Sequence, residues 1–258
     1  MLSQRKSPPC IFSPTRKLAR KRRAAVLADR GEPAWFLIEA MADDLFDRLG
    51  FLRLQPARIL AEGFGASVFC ESPWEHDACF DGGWQHDFDD PLPYTSATYD
   101  LAASVNSLGT VNDLVGALIQ MRELLVPGGL AMASFVGGQS LGKLRRAMFE
   151  AEPDRAAPRM HPMIDPRSCP ELLGRAGWAD PVVDSYTLTA RYSSLDRLVQ
   201  DLREQALGNV LATAAPPLGR SGLERARAAF LAQADADGKV SETFEIITLT
   251  GRRSTISL

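Results

Sequence analysis

Four places in the 258-residue chain put chemically capable side chains at usable spacings. Glu62-Gly63-Phe64-Gly65-Ala66-Ser67 follows the short apolar stretch Arg58-Ile59-Leu60-Ala61. Glycines after a strand let the backbone approach a ligand, and a helix opening there offers N–H donors to an anion. The same residues also describe a tight turn closing a shortened sheet edge. Ser104, Asn106 and Ser107 stand at the C-terminal end of the apolar run Tyr99-Asp100-Leu101-Ala102-Ala103-Ser104, where open α/β sheets hold ligands. They read either as groups that position an acceptor or as a polar strand-to-helix loop. His161, in Arg159-Met160-His161-Pro162, has the titration range of a general base, with an ordinary pKa of about 6.5. Its other reading is a loop histidine capping a helix. Cys70, His76, Cys79 and His86 are zinc-type donors crowded into one stretch, yet their spacing, C-x5-H-x2-C-x6-H, matches no common zinc module. The expectation there is no metal: two buried thiols and two surface imidazoles.

Elements that would position these residues follow from periodicity. Ile38, Met41, Leu45 and Leu49 recur at helical spacing over Ala34 to Leu49, with Gly50 at the place of a C′ glycine. Ser67 to Asp90 is irregular, and Trp74 and Trp84 within it read either as stacking platforms or as plugs for missing core volume. Beyond Tyr99 the pattern sharpens. Thr110 and Asp113 resemble a capping box ahead of the stripe Leu114, Ala117, Leu118, Met121, Leu124 and Leu125. Pro127-Gly128-Gly129 turns the chain into a strand from Leu130 to Phe135. Ser168 and Glu171 predict a capped helix ending at Gly177, and Val182 to Arg191 a long strand. Ser221 and Glu224 form another capping box, and Thr243 to Thr250 is a final strand. Alternating strands and helices with short turns predict a parallel, doubly wound α/β sheet, with an antiparallel edge strand at the end. The stripe Leu195, Leu198, Val199 and Leu202 belongs to a helical insertion over 190–240. It reads as core packing or as a lid. Residues 1–33 form a basic arm and helix, and 34–258 the main domain.

Composition narrows the class. Apolar residues are 45% and charged residues 24% of the chain, ordinary for a globular domain. No apolar run is long enough to cross a bilayer. The net charge of −3 argues against nonspecific nucleic-acid binding by the whole chain. Four cysteines without a CxxC pair suit a reducing cytosol. Arg5, Lys6, Arg16, Lys17, Arg20, Lys21, Arg22 and Arg23 make the N-terminus basic. It reads either as a transit peptide or as a polar arm leading into a surface helix from about Leu18 to Leu27, with an acidic partner or anionic lipid as its natural contact.

Three stretches carry a family resemblance. Leu92-Pro93-Tyr94, four residues, then Tyr99-Asp100-Leu101 is similar to the LPF-x4-FDLV signature of class I S-adenosylmethionine-dependent methyltransferases. Leu124-Leu125-Val126-Pro127-Gly128-Gly129-Leu130 resembles their LLxPGGxL turn, and Leu172-Leu173-Gly174-Arg175-Ala176-Gly177-Trp178 their LLxxAGF lead into the sixth strand. Val111-Asn112-Asp113-Leu114, Phe135-Val136-Gly137-Gly138, Asp201-Leu202-Arg203 with Gly208-Asn209, and Asp237-Gly238 before Thr243-Phe244-Glu245-Ile246 narrow this. They resemble the bacterial BioC-type methyltransferases of biotin synthesis and the mitochondrial complex I assembly methyltransferase-like proteins.

That resemblance implies a Rossmann-like class I sandwich. It implies methyl or hydroxyl transfer to a protein arginine or to a malonyl thioester carboxylate. It also implies S-adenosylmethionine as cofactor, held by Glu62, Gly63, Gly65 and Ser104, with Glu71 on the ribose hydroxyls and Asp87 or Asp89 near the adenine. Asn106, Ser107 and His161 would be the catalytic candidates. The sequence departs from the pattern in the cofactor half. Ser67 occupies the third glycine slot, Glu62 directly precedes the first glycine, and Asp87 and Asp89 are one position out of register with Leu92-Pro93. A second strand at Ser67-Val68-Phe69-Cys70 leaves no room for the helix that should precede it. The second expectation is therefore a noncatalytic assembly or interaction protein whose cofactor pocket is weak or lost. Its partner is a protein or a small carboxylate; it is not integral to membrane, not a nucleic-acid enzyme (the D/N-P-P-Y box is absent), and is expected to be a monomer.

Overall fold

The computed structural model describes residues 9–31, 33–70, 79–155, 157–213 and 215–255. Six strands form one sheet: β1 (Arg58–Glu62), β2 (Cys79–Gly83), β3 (Tyr99–Val105), β4 (Leu125–Gly137), β5 (Ala179–Tyr192) and β6 (Val240–Arg252), in the order β2-β1-β3-β4-β6-β5. β1 to β4 are parallel neighbours, and β6 runs antiparallel to both β4 and β5. The antiparallel strand is therefore the last one, as expected, but it lies inside the sheet. The edge strand is β5.

Strands buried on both faces divide their side chains between two cores. Ile59, Ala61, Leu101 and Ala103 pack under α2 (Phe36–Leu52), α4 (Gly142–Ala151), α6 (Leu195–Glu204) and α7 (Arg220–Leu231). Leu60 and Ala102 face α3 (Leu114–Leu124) and α5 (Cys169–Ala176) on the other side. This alternation is what a period of two requires of a strand covered by helices on both faces. The insertion between β5 and β6 holds α6 and α7. The stripe Leu195, Leu198 and Leu202 is buried in the first core, with Val199 packed against it. No helix among the described residues is long and apolar enough to cross a membrane.

Several local expectations are corrected. Gly50 does not end its helix, which continues to Leu52 and stops at Arg53 in the left-handed conformation. No strand forms at Ser67–Cys70. Ala66–Phe69 is a short 3₁₀ turn, because Phe69 is buried and packs on Phe46 of α2, with ring centroids 5.1 Å apart. The strand beside β1 is instead β2, with Glu62 in register with Gly83. The serine capping boxes are not used. Ser168 Oγ donates to the Asp165 carbonyl, α7 starts at Gly219 without a side-chain cap, and Asp113 caps α3 by accepting from the Gly116 N–H. Thr110 accepts from Arg20 instead.

The helix that starts earliest differs most from expectation. α1 (Pro14–Ala28), capped by Ser13, contains the expected helix from Leu18 to Leu27 but starts earlier and buries one face, with Lys17, Lys21 and Ala24 removed from solvent. It is tied down by a bridge between Phe12 and Leu211 and by contacts with α6.

A buried carboxylate organises the other side of the first core. Glu242 is fully buried at the start of β6 and accepts from the Leu144 N–H (2.7 Å) and the Lys143 N–H (3.2 Å). The residue before α4, Leu141, offers no side-chain cap, so Glu242 satisfies the helix's first donors from across the fold and places negative charge at its positive end. Glu242→Ala is expected to lower unfolding free energy by about 1–3 kcal/mol in urea denaturation, from the stranded N–H groups. An unchanged midpoint would remove this capping role.

Candidate functional site

The C-terminal ends of β1 and β3 present Glu62 and Ser104 in register, side by side. Glu62 is buried, and its Oε1 accepts from the Tyr94 hydroxyl at 2.6 Å and lies 3.3 Å from His86 Nδ1. Oε2 of Glu62 and Oγ of Ser104 are buried without a hydrogen-bond partner among the described residues. Burial raises the Glu62 pKa above its usual 4.5, against the opposing pull of the Tyr94 hydrogen bond and His86. Burial and the Glu62 hydrogen bond push the Tyr94 phenol well above its ordinary range.

The glycine loop turns back on itself. Gly63 N–H donates to Gly83 O (2.9 Å), Gly65 N–H to Val105 O (3.3 Å), Ala66 N–H to Gly63 O (3.1 Å) and Val68 N–H to Gly65 O (3.3 Å). Those donors are therefore spent inside the protein. Gly63, at φ +114°, could not carry a Cβ, which would lie 2.2 Å from the Val105 carbonyl oxygen. A Cβ on Gly65 would meet the side chains of Val105 and Ile38. Here both glycines serve close packing against β3 and α2.

The acids beside the loop are paired with α1. Lys17, 1% exposed, sits 3.0 Å from Asp87 and makes a short contact with Asp89. Lys21 lies 3.9 Å from Asp87 and donates to the His86 carbonyl at 2.9 Å. Asp89 also accepts from the Asn112 N–H (2.6 Å) and Nδ2 (2.7 Å). Asn112 Oδ1 in turn holds the N–H groups of Ile11 and Phe12 at 2.7 and 2.8 Å. This network staples α1 and its leading residues across the end of the sheet. Asp87 and Asp89 are thus not a solvated loop, and Lys17 and Lys21 of the basic segment meet their acids inside the molecule. Asp81, on β2, accepts from the Tyr99 hydroxyl at 2.7 Å. Tested against S-adenosylmethionine, the described residues do not fit. Four loop N–H groups, both glycine surfaces, Asp87 and Asp89 are engaged by the protein's own groups, which leaves Glu62 Oε2 and Ser104 Oγ as the site's oxygens without partners among the described residues. Glu71 lies outside the described residues.

On the other side of β3 the structure brings Asn106, Ser107 and His161 to one small void, which shares His161 and Arg20 with a cavity of about 400 Å³. Asn106 has φ +55° and its Nδ2 donates to the Gln205 carbonyl at 2.7 Å. Its amide is therefore committed to joining β3 to the end of α6. His161 stacks edge-on to Phe12 at 5.6 Å. Burial, then the nearby charges of Arg20 and Arg145, depress its pKa below 6.5, so it is neutral at neutral pH. Arg191 lies outside this group; it pairs with Asp237 and lies 3.9 Å from Asp235. Asn209 is also engaged internally, donating to the carbonyls of Pro158 (2.9 Å) and Arg159 (2.8 Å).

The cysteine and histidine cluster is rearranged. Cys70 is exposed rather than buried, and His86 belongs to the Glu62–Tyr94 group. His76 and the Cys79 side chain lie outside the described residues. Trp84 packs against the first core, whereas Trp74 lies outside the described residues. Sequence reasoning missed the roles of Lys17, Lys21, Tyr94 and Asn112 and of the α1 arginines of the cavity, Arg16, Arg20 and Arg23. A signal was present: Lys17 and Lys21 are i, i+4 on one helix face, and Arg16, Arg20 and Arg23 on another.

No family model matches the chain. It is 31% identical over 164 residues to the mitochondrial arginine-hydroxylase NDUFAF5 of Danio rerio, covering 62% of this chain and 51% of that protein. It is 28% identical over 254 residues to the malonyl-[acyl-carrier protein] O-methyltransferase of Halorhodospira halophila, covering 85% of this chain and 82% of the relative. The chain thus spans about half the length of the NDUFAF5 proteins it matches. Solved S-adenosylmethionine-dependent methyltransferases also superpose. One from Thermotoga maritima does so at TM-score 0.45 and 13% identity, over 92% of this chain and 99% of its own. One from Archaeoglobus fulgidus does so at 0.44 and 11%, over 83% and 94%. The strand order, rather than these superpositions, carries the fold.

Two outcomes follow from the geometry. Removing one partner of a buried ion-pair network strands the others, so Asp89→Ala is expected to cost on the order of 3–5 kcal/mol in urea denaturation. A loss under about 1 kcal/mol would show that the network does not hold α1. For Glu62, a raised folded pKa means that its contribution is most favourable below the usual value and is lost as pH rises through the folded value. Glu62→Gln keeps the Tyr94 hydrogen bond and should match wild type near pH 4 and exceed it near pH 8. Wild type being the more stable protein at the higher pH would contradict the burial argument.

Proposed function

We propose that the chain, of the class I methyltransferase superfamily, is a noncatalytic assembly or interaction protein on the fold of the malonyl-ACP methyltransferases and NDUFAF5 that it resembles. In this reading the cofactor end is closed, and the acceptor-side cavity keeps the function of holding an acidic group from a protein partner or a small carboxylate. One observation carries it: the buried Lys17 ammonium between Asp87 and Asp89, which seats α1 against the acids that the resemblance sets near the adenine. The occupied donors of the glycine loop support the same reading. So does the neutral His161, which lines the cavity as an uncharged imidazole.

A second reading is methyl transfer to a carboxylate, as the name of the Halorhodospira relative describes for that protein. It is favoured by Glu62 Oε2 and Ser104 Oγ, two adjacent buried oxygens without partners among the described residues. If S-adenosylmethionine binds, Glu62 and Ser104 would be the residues facing it, and the cofactor would supply an activated methyl group.

Calorimetric titration of the full chain with S-adenosylmethionine separates the two. The closed-site reading expects a Kd weaker than about 100 μM, roughly 5.5 kcal/mol of binding free energy. Saturation at low micromolar cofactor overturns it and restores the enzyme.

A further inference from the structure

The cavity's charge is unbalanced. α1, α4, α6 and the segment around His161 enclose about 400 Å³, within the range of small-molecule sites. Arg20, Arg23 and Arg203 line it, and no aspartate or glutamate does so among the described residues. Arg20 is held by neutral acceptors, the Gly208 carbonyl (3.2 Å) and the Thr110 hydroxyl (3.1 Å), and its Nε is buried without a partner among the described residues. Burial lowers its pKa to about 10. Three carboxylates near the cavity are paired elsewhere, Glu152 with Arg155 and Arg159, Asp196 with Arg227, and Asp201 with Arg197, and Asp87 acts on Arg20 only at longer range.

The facing wall is apolar. Met148, Met160 and Met163 contribute thioether side chains, beside leucines and a valine from α4 and α6. Unbranched methionines adapt to flexible aliphatic shapes. A guanidinium offers several donors in a fixed fork that suits an oxyanion, and charge in a partly desolvated cavity is stabilised by a counter-ion.

We propose that this cavity binds an oxyanion carried on an aliphatic chain, its head against Arg20, Arg23 and Arg203 and its tail along the methionine wall. This rests on the cavity being the retained site, and it names the chemical class of its occupant. A carboxylate and a phosphate monoester share the required head, and a drug-sized chain matches the volume.

The test uses the full-length chain and calorimetry with octanoate, octyl phosphate, octanol, octylamine and inorganic phosphate. Octanoate or octyl phosphate should saturate below the millimolar range. Octanol and inorganic phosphate should bind at least tenfold more weakly, and octylamine should give no saturation. Whichever of octanoate and octyl phosphate is tighter identifies the head group. Arg203 is exposed and makes no ion pair among the described residues, so Arg203→Met should keep the wild-type melting temperature and weaken the anionic ligand at least tenfold. The proposal is overturned if octanol equals octanoate and octyl phosphate, if inorganic phosphate alone binds as tightly, if Arg203→Met changes nothing, or if neither anion binds. Tight S-adenosylmethionine binding together with octanoate binding would refute the closed cofactor end and leave this occupant standing. Absence of both would do the reverse.

Discussion

A buried ammonium group fixes the arrangement of this protein. Lys17 is almost wholly removed from water, and a lysine in that position is tolerable only with opposite charge beside it. Asp87 and Asp89 supply that charge, and Asn112 holds Asp89 while fastening the residues ahead of α1. Three segments far apart in sequence are therefore locked by one charge balance. Their closure sets what lies on either side of the sheet end.

Helix geometry gives α1 two distinct jobs. Lys17 and Lys21 recur one turn apart and face the acids after β2, while Arg16, Arg20 and Arg23 recur on a neighbouring face and wall the cavity beside α6. The first face is neutralised internally. Arg20 and Arg23 on the second face form no close ion pair among the described residues, and Asp87 acts on Arg20 only at longer range. The arginine-lined cavity beside α6 and the paired acids after β2 are thus two consequences of docking the same helix. Among the described residues after the glycine loop, a 3₁₀ turn, Ala66–Phe69, stands where the resemblance would put the start of a full helix.

Much of the fold was legible because it rests on local periodicity. The apolar run at Tyr99 and the helix ending at Gly177 stand where their patterns put them, whereas Pro127-Gly128-Gly129 is no turn but lies inside β4, which already begins at Leu125. Residues 67–70 misled because Val68 and Phe69 have strand-forming side chains, while the decisive contact, Phe69 on Phe46, is tertiary. The serine capping boxes misled because a pattern specifies where a hydroxyl can reach, not which acceptor wins; Ser168 turns to the Asp165 carbonyl. The site was less legible. Asn106, Ser107 and His161 were found as a group, but Lys17 and Asp89 are 72 residues apart, and no local pattern pairs a basic helix with a distant acidic loop. Each charge run, taken alone, reads as solvated.

Native-state hydrogen exchange along Pro14–Ala28 probes the closure itself. If the Lys17 network seats α1 as part of the folded unit, its central amides should exchange only with global unfolding, and millimolar S-adenosylmethionine should leave their rates and those of 62–70 unchanged. Local opening of α1 well below the global unfolding free energy, with cofactor-dependent protection appearing at Glu62 to Cys70, would contradict the account.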